Sequence, residues 1–475
     1  LARSSMKEKI LLGLALVCPV VLLLGTGFRV PFIVTAIGLG TLALASALQK
    51  NRAPSFTKKI LPVLIGAVAA LILAVFPVTH FLTTPLEISP SHKETWSIVR
   101  QVLQESPLLG SGPASFSADY LQHRSLPILQ TPFWNIAFDW GSSAFLTFLA
   151  TVGILGSAFL FLAVIAILIS HAAVLIKASS SGDDVALAAA GVATFLAAFA
   201  APTTFALLFF FATLLGLMLG ASVAPFSFQW HLGPVRLLRS LIMISLAVFL
   251  AFQGLRASAE IIVARAVAQT DTNISDSLKM LTLGNRLNPY VDAYHRLASD
   301  INRAILRNTL NDPTLGQDQE KGLQIVREAV DRTLKEARRA TQLASNHVAN
   351  WITLGNVYLE IAPFTSGAAE ASVEAFSRAN ELSPSDPSIL VNLGIAKTLA
   401  ARAGDKESAV DLFSSAEQFL KKAAEIRPNF LFAHLELARF YAQNNKSAEA
   451  NASYRAAREL AQNDPTLRYE IGLFL

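Results

Sequence analysis

The sequence predicts an all-α protein in two parts, a polytopic helical membrane domain over residues 1–255 followed by an α-solenoid of paired helices over 256–475. Three observations predict it. Of 475 residues 53% are hydrophobic and only 15% charged, whereas soluble domains run to about a quarter charged. The apolar residues gather into long unbroken runs before residue 255. After residue 256 those runs give way to an amphipathic pattern that repeats.

The runs lie at residues 10–28, 30–48, 60–82, 145–176, 185–201, 205–224 and 237–255. Each is long enough to cross a hydrocarbon core of about 30 Å, so seven spans are expected. The first is not a cleaved leader, because a second run follows within a few residues and no small-residue cleavage site intervenes. Lys7 and Lys9, then Lys50, Arg52, Lys58 and Lys59, then Lys177, then Arg236 and Arg239 all fall on one side of a seven-span chain. The positive-inside rule makes that side cytoplasmic, which puts the loop 83–141 and the whole C-terminal half outside, as expected of a bacterial inner-membrane protein with an extracytoplasmic repeat domain. This topology accounts for the net charge of +5. No basic stripe with interleaved aromatics is present, so nucleic acid is not an expected partner. Cys18 is the only cysteine and sits in the first run, which excludes a disulfide framework or a thiolate metal site. The chain begins at Leu1 and stops at Leu475 inside a repeat, so it reads as a fragment.

From Asp271 onward, related segments recur: W-I-T-L-G-N-V-Y from Trp351, I-L-V-N-L-G-I-A from Ile389, A-H-L-E-L-A-R-F-Y from Ala433 and L-R-Y-E-I-G from Leu467. Aligning Gly355, Gly394, Ala438 and Gly472 gives steps of 39, 44 and 34 residues. The small residue, the large apolar residue and a terminal Pro recur together, and the segment resembles tetratricopeptide repeats, whose period is about 34. Stacked pairs of this type present a surface that binds partners. The aromatic positions Trp351, Tyr358, Phe376, Phe413, Phe419, Tyr441 and Tyr454 are expected in the core of the array.

In the loop, the spacing predicts an amphipathic helix over 95–105 with Trp96, Val99 and Leu103 on one face, lying on the outer membrane surface and ended by Pro107. Gly110 and Gly112 then permit tight turns. The combined pattern W-x10-P-L-L-G-x-G-x3-F, followed after a loop by F-L-x6-G-I-L-G at the start of a membrane run, is similar to the O-antigen ligase and O-antigen polymerase family, over about residues 92–219. That resemblance implies a polytopic bacterial membrane enzyme that transfers a polyprenyl-diphosphate-linked glycan to a hydroxyl of a glycan, lipid or protein acceptor outside the cytoplasmic membrane, with no cofactor and no metal. Several relatives also carry C-terminal tetratricopeptide-like repeats. The family usually has Arg four residues before the Trp, where this chain has His92, and His-Asn four and three residues before the Leu of the span, where it has Ser142 and Ser143.

A diphosphate leaving group needs a fixed cation and an acceptor hydroxyl needs a base. With those positions altered, the roles pass in this reading to other outward residues. In D-Y-L-Q-H-R, Asp119 and His123 are four apart and share a helical face, with Arg124 beside them. His123 and Arg124 are therefore the candidate catalytic pair, and His92, Lys93, Arg100 and Asp119 the candidate substrate-binding residues; Asp139 is also outward. Trp134 and Trp140 are expected as interfacial anchors. The alternative is a noncatalytic membrane-anchored scaffold whose repeats hold protein or glycan partners. A transporter is the weaker reading, because the spans are nearly free of ionisable residues apart from His80 and His171 near their ends.

Overall fold

The computed structural model describes residues 35–40, 43, 56–75, 88–176, 189–196, 211–217, 233–270, 272–311, 319–404 and 406–461, and among these every regular element is a helix. The chain divides into two compact units, one of residues 1–123 and 137–228, the other of residues 124–136 and 229–475.

In the first unit, α1 (Phe56–Val75) carries a shorter apolar stretch, Val63–Ile72. Helix α2 (His92–Glu105) starts at Ser91, whose hydroxyl accepts the amide of Glu94 at 3.1 Å, and stops before Pro107 as expected. Its buried face is Thr95, Ile98, Val99 and Val102, whereas Trp96 is 52% exposed. The expected face of Trp96, Val99 and Leu103 is thus rotated. Helix α2 packs against α5 (Ala144–Ile176) of the same unit. Between them come α3 (Phe116–His123) and, in the other unit, the single turn α4 (Leu126–Leu129).

Helix α5 covers the expected fourth span but is broken once, at Gly153, where φ is +67° and ψ −170°. Two described helices are long and apolar enough to cross a membrane: Ala144–Ile169 within α5, and Ser240–Gln269 within α6 (Gly233–Gln269). The expected first span, Cys18, and the clusters at Lys7, Lys9, Lys50, Arg52 and Lys177 lie outside the described residues, as does the repeat copy from Leu467. Spans two, three, five and six are described only in part.

The second unit is a tetratricopeptide-type array. Among its described residues the helices pack in sequential pairs: α6 with α7 (Ile274–Leu287), α8 (Asp292–Leu310) with α9 (Gln319–Leu343), α10 (Val348–Ile361) with α11 (Ala368–Leu382), α12 (Pro387–Ala403) with α13 (Lys406–Ile426), and α14 (Leu431–Gln443) with α15 (Ser447–Leu460). Short turns force each neighbour antiparallel, and each pair buries its stripe against the next. Helix α6 runs without interruption past residue 255. Leu241, Ile244, Val248 and Phe252 stand exposed, while Ala259, Val263 and Ala266 are buried against α7. One helix therefore changes from a stripe suited to lipid to a stripe suited to a partner helix.

The recurring small residue has a steric reason. A Cβ at Gly355 would stand 2.8 Å from the Phe376 ring, and one at Gly394 would stand 2.7 Å from Leu420 Cγ. Phe376, Tyr441 and Tyr454 are buried, and Trp351, Tyr358, Phe413 and Phe419 pack partly buried against the core clusters, as the pattern predicts.

Candidate functional site

The loop of the first unit is built on an interlock between the two halves of the glycine motif. Ser111 and Gly112 amides donate to the carbonyls of Ala150 and Thr151 at 3.1 and 2.8 Å, and Ile154 and Leu155 amides donate to those of Pro107 and Leu108 at 3.0 and 3.1 Å. The break at Gly153 frees the helix groups that these bonds use. The approach is too close for side chains: a Cβ at Gly110 would lie 2.2 Å from Ala150 O, and one at Gly153 would lie 2.4 Å from Leu108 O, with both residues in the left-handed region. P-L-L-G-S-G and T-V-G-I-L-G thus form one structural unit.

The frame holds two polar clusters. In the first, His92 Nδ1 and Ser142 Oγ are 2.8 Å apart, and the Ser142 amide donates to Thr95 Oγ1 at 3.0 Å. Thr147 Oγ1 accepts from the Gly141 amide at 3.0 Å and donates to the Ser143 carbonyl at 2.8 Å, which fixes the turn that presents Ser142. Ser142 is buried and His92 is exposed, so the imidazole is held by its Nδ1 side with its other edge toward solvent. Two of the three positions at which the chain departs from the ligase and polymerase pattern, His92 and Ser142, are therefore partners, although 50 residues apart.

In the second cluster, Ser111 Oγ donates to Asp119 Oδ2 at 2.5 Å, and Ser115 Oγ lies 2.5 Å from Ser111 Oγ while bonding the Gly112 carbonyl at 2.6 Å. Burial pushes the Asp119 carboxyl above the ordinary carboxylate range, against the opposing effects of the Ser111 bond and of His123. His123 closes α3 and stands 3.8 Å from Glu105, with its own side chain mostly buried.

Of the expected site residues, His92, Lys93 and Arg100 lie on the exposed face of α2, and Asp119 and His123 share α3 as the four-residue spacing required. Arg124 does not join them. It belongs to the other unit, its side chain is 1% exposed, and it donates to Trp134 O at 2.6 Å, Ser383 Oγ at 3.4 Å and Asp386 Oδ2 at 2.8 Å. Its charge is neutralised inside the repeat unit, so the expected His123–Arg124 pair is not formed. Trp134 likewise packs within that unit, 5.2 Å from the Phe430 ring, while Trp140 meets Phe148 edge-on. Asp139 is exposed. Sequence reasoning missed Thr95, Ser111 and Ser115, whose small hydroxyls carry no spacing signature.

No known protein family matches the chain, and no curated protein matches it. Solved structures similar to it include a TPR protein of Thermus thermophilus (15% identity, 46% of this chain and 98% of that one, TM-score 0.33), MamA of Desulfovibrio magneticus RS-1 (14%, 44% and 97%, 0.33) and PilF of Pseudomonas aeruginosa (14%, 46% and 91%, 0.32). The repeat assignment rests on the chain's own helix pairing.

Proposed function

We propose that the chain is a membrane-anchored tetratricopeptide-type scaffold that holds a protein partner outside the cytoplasmic membrane. The observation that carries this is a cavity of about 540 Å³ along α9, at the repeat pair nearest the membrane-length helix α6 in sequence. Its lining brings Lys335, Arg338 and Arg339 together with Asp331 and Glu336, and Glu336 is occupied by His295 at 2.6 Å. Cations in excess over available carboxylates suit an acidic segment of a partner protein.

A second reading, glycan transfer of the O-antigen ligase or polymerase type from a polyprenyl-diphosphate donor to an acceptor hydroxyl, is favoured by a separate observation. His92 and Ser142 occupy two of the three altered motif positions and meet at 2.8 Å. In the tautomer whose Nδ1–H donates to Ser142 Oγ, the Nε2 of His92 is the proton acceptor for an incoming hydroxyl, with Lys93 and Arg100 on the same helix as cations for the diphosphate. His92 fits the base role better than His123, which is mostly buried beside Glu105. Asp119 then stays a support of the glycine frame.

One experiment separates the two. In cells making the full-length protein, a photo-crosslinking side chain at position 339 should give a discrete protein adduct that Lys335→Glu removes, whereas position 410, on an exposed face of α13, should give none. Identical adducts from both positions contradict the scaffold. If transfer also occurs, His92→Ala should lower glycan product by a factor of about 10² and leave the adduct intact. No product from the unaltered chain leaves the scaffold reading alone.

A further inference from the structure

We propose that the inter-pair turns of the repeat array form a peptide-docking surface, and that its resident ligand is the chain's own segment Arg124–Ile136. The surface consists of two consecutive turns. Residues 383–386 join α11 to α12, and residues 427–430 join α13 to α14, so equivalent edges of neighbouring pairs lie one repeat apart.

Each turn supplies a charged group, and each meets its complement in the segment. Asp386 serves twice: its Oδ1 caps α12 by accepting the amides of Ser388 and Ile389 at 2.9 and 3.4 Å, and its Oδ2 takes Arg124 at 2.8 Å. The carboxylate is held in place by the helix it caps, so Arg124 meets a preset partner. From the other turn, Arg427 donates to the carbonyls of Leu129 and Thr131, and its guanidinium lies 4.8 Å from the centroid of the Trp134 ring. Phe430 packs against the same ring. Leu129 is fully buried. A cation, two carbonyls and an indole are thus all read by two turns of the array.

The segment also carries bonds of its own. Arg124 Nη1 closes it by bonding the Trp134 carbonyl, Thr131 Oγ1 donates to Ile128 O at 2.7 Å and accepts the Phe133 amide at 3.2 Å, and Pro127 starts the single turn α4. Internal bonds of this kind lower the entropy lost on docking. Because the segment is part of the chain, its effective concentration at the turns is far above that of any free peptide. The flanking residues His123 and Ala137 belong to the other unit, so the segment is a covalent strap from the motif loop to the repeats.

Hydrogen exchange on the purified full-length chain in detergent tests this. The peptide covering residues 124–136 should exchange slowly in the unaltered protein. Arg124→Gln should speed its exchange at least about tenfold, because removing one partner of a buried pair leaves the other uncompensated and raises the open population. Arg427→Ala, which leaves the Asp386 cap intact, should do the same, while peptides from α9 keep their rates. Exchange of 124–136 at the rate of an open chain in the unaltered protein, or unchanged rates in both variants, overturns the proposal.

Discussion

Gly153 shows how one residue can decide a site. Its φ of +67° costs an L side chain about 1–2 kcal/mol, and its Cβ position is already occupied by Leu108 O and Gly110 N at 2.4 and 2.5 Å. Backbone atoms cannot rotate away as a side-chain tip can. Gly153→Ala should therefore open the interlock and lower the thermal midpoint of the full-length protein in detergent by several degrees, with a loss of about 2–4 kcal/mol. An unchanged melt contradicts the interlock. Gly110 and Gly112 were legible as turn formers, because two glycines one residue apart, just after a helix-ending proline, have few other uses. The need for Gly153 was not. In a run of apolar residues a glycine reads as a tolerated helix position, and only the returning loop shows what crowds it. Arg124 illustrates the same limit, since its partner Asp386 is 262 residues away.

At the scale of elements, the repeats were the most legible part of the chain. Their period fixes which residues turn inward, and the small residue marks the point where a paired helix comes closest. The face of α2 was misjudged because Trp96 raised the apparent apolar stripe, whereas Thr95, buried by its bonds at the Ser142 turn, belongs to the packed face. Adjoining pairs are also tied by charge. Glu417 of α13 meets Lys421 at 2.7 Å, Lys446 after α14 at 2.8 Å and the Tyr441 hydroxyl at 3.2 Å. Burial alone would raise its carboxyl, but the bonds from Lys421 and Lys446 outweigh it and hold the group down at about 2, against an ordinary 4.5. A carboxylate with a depressed folded pKa contributes its stability in full above the unfolded value and loses it as pH falls through the folded one. Glu417→Gln should thus lower the thermal midpoint at pH 7, and the gap to the unaltered protein should close between about pH 4.5 and pH 2. A gap of equal size at pH 7 and pH 2.5 would show that the two lysines do not hold this charge.

For the whole molecule, the sequence marked the paired-helix repeats, because repeat period is a property of local stretches. It did not mark which loop residues meet. His92 and Ser142 were each visible as departures from a pattern, yet their contact depends on the path taken by 50 residues between them. Nor did it show that residues 124–136 fold with the repeats, a pairing set by turns late in the chain. The central proposal is of a membrane-held repeat array outside the cytoplasmic membrane, where the charge pattern of the sequence also leads one to expect the motif loop. Labelling of intact cells with an impermeant thiol reagent tests it most directly, using Leu109→Cys in the loop and Tyr290→Cys in the repeats of a Cys18→Ala background, positions 74% and 76% exposed. The account predicts that both cysteines are modified before the cells are opened. Modification of Leu109→Cys alone, with Tyr290→Cys reacting only after lysis, would contradict it.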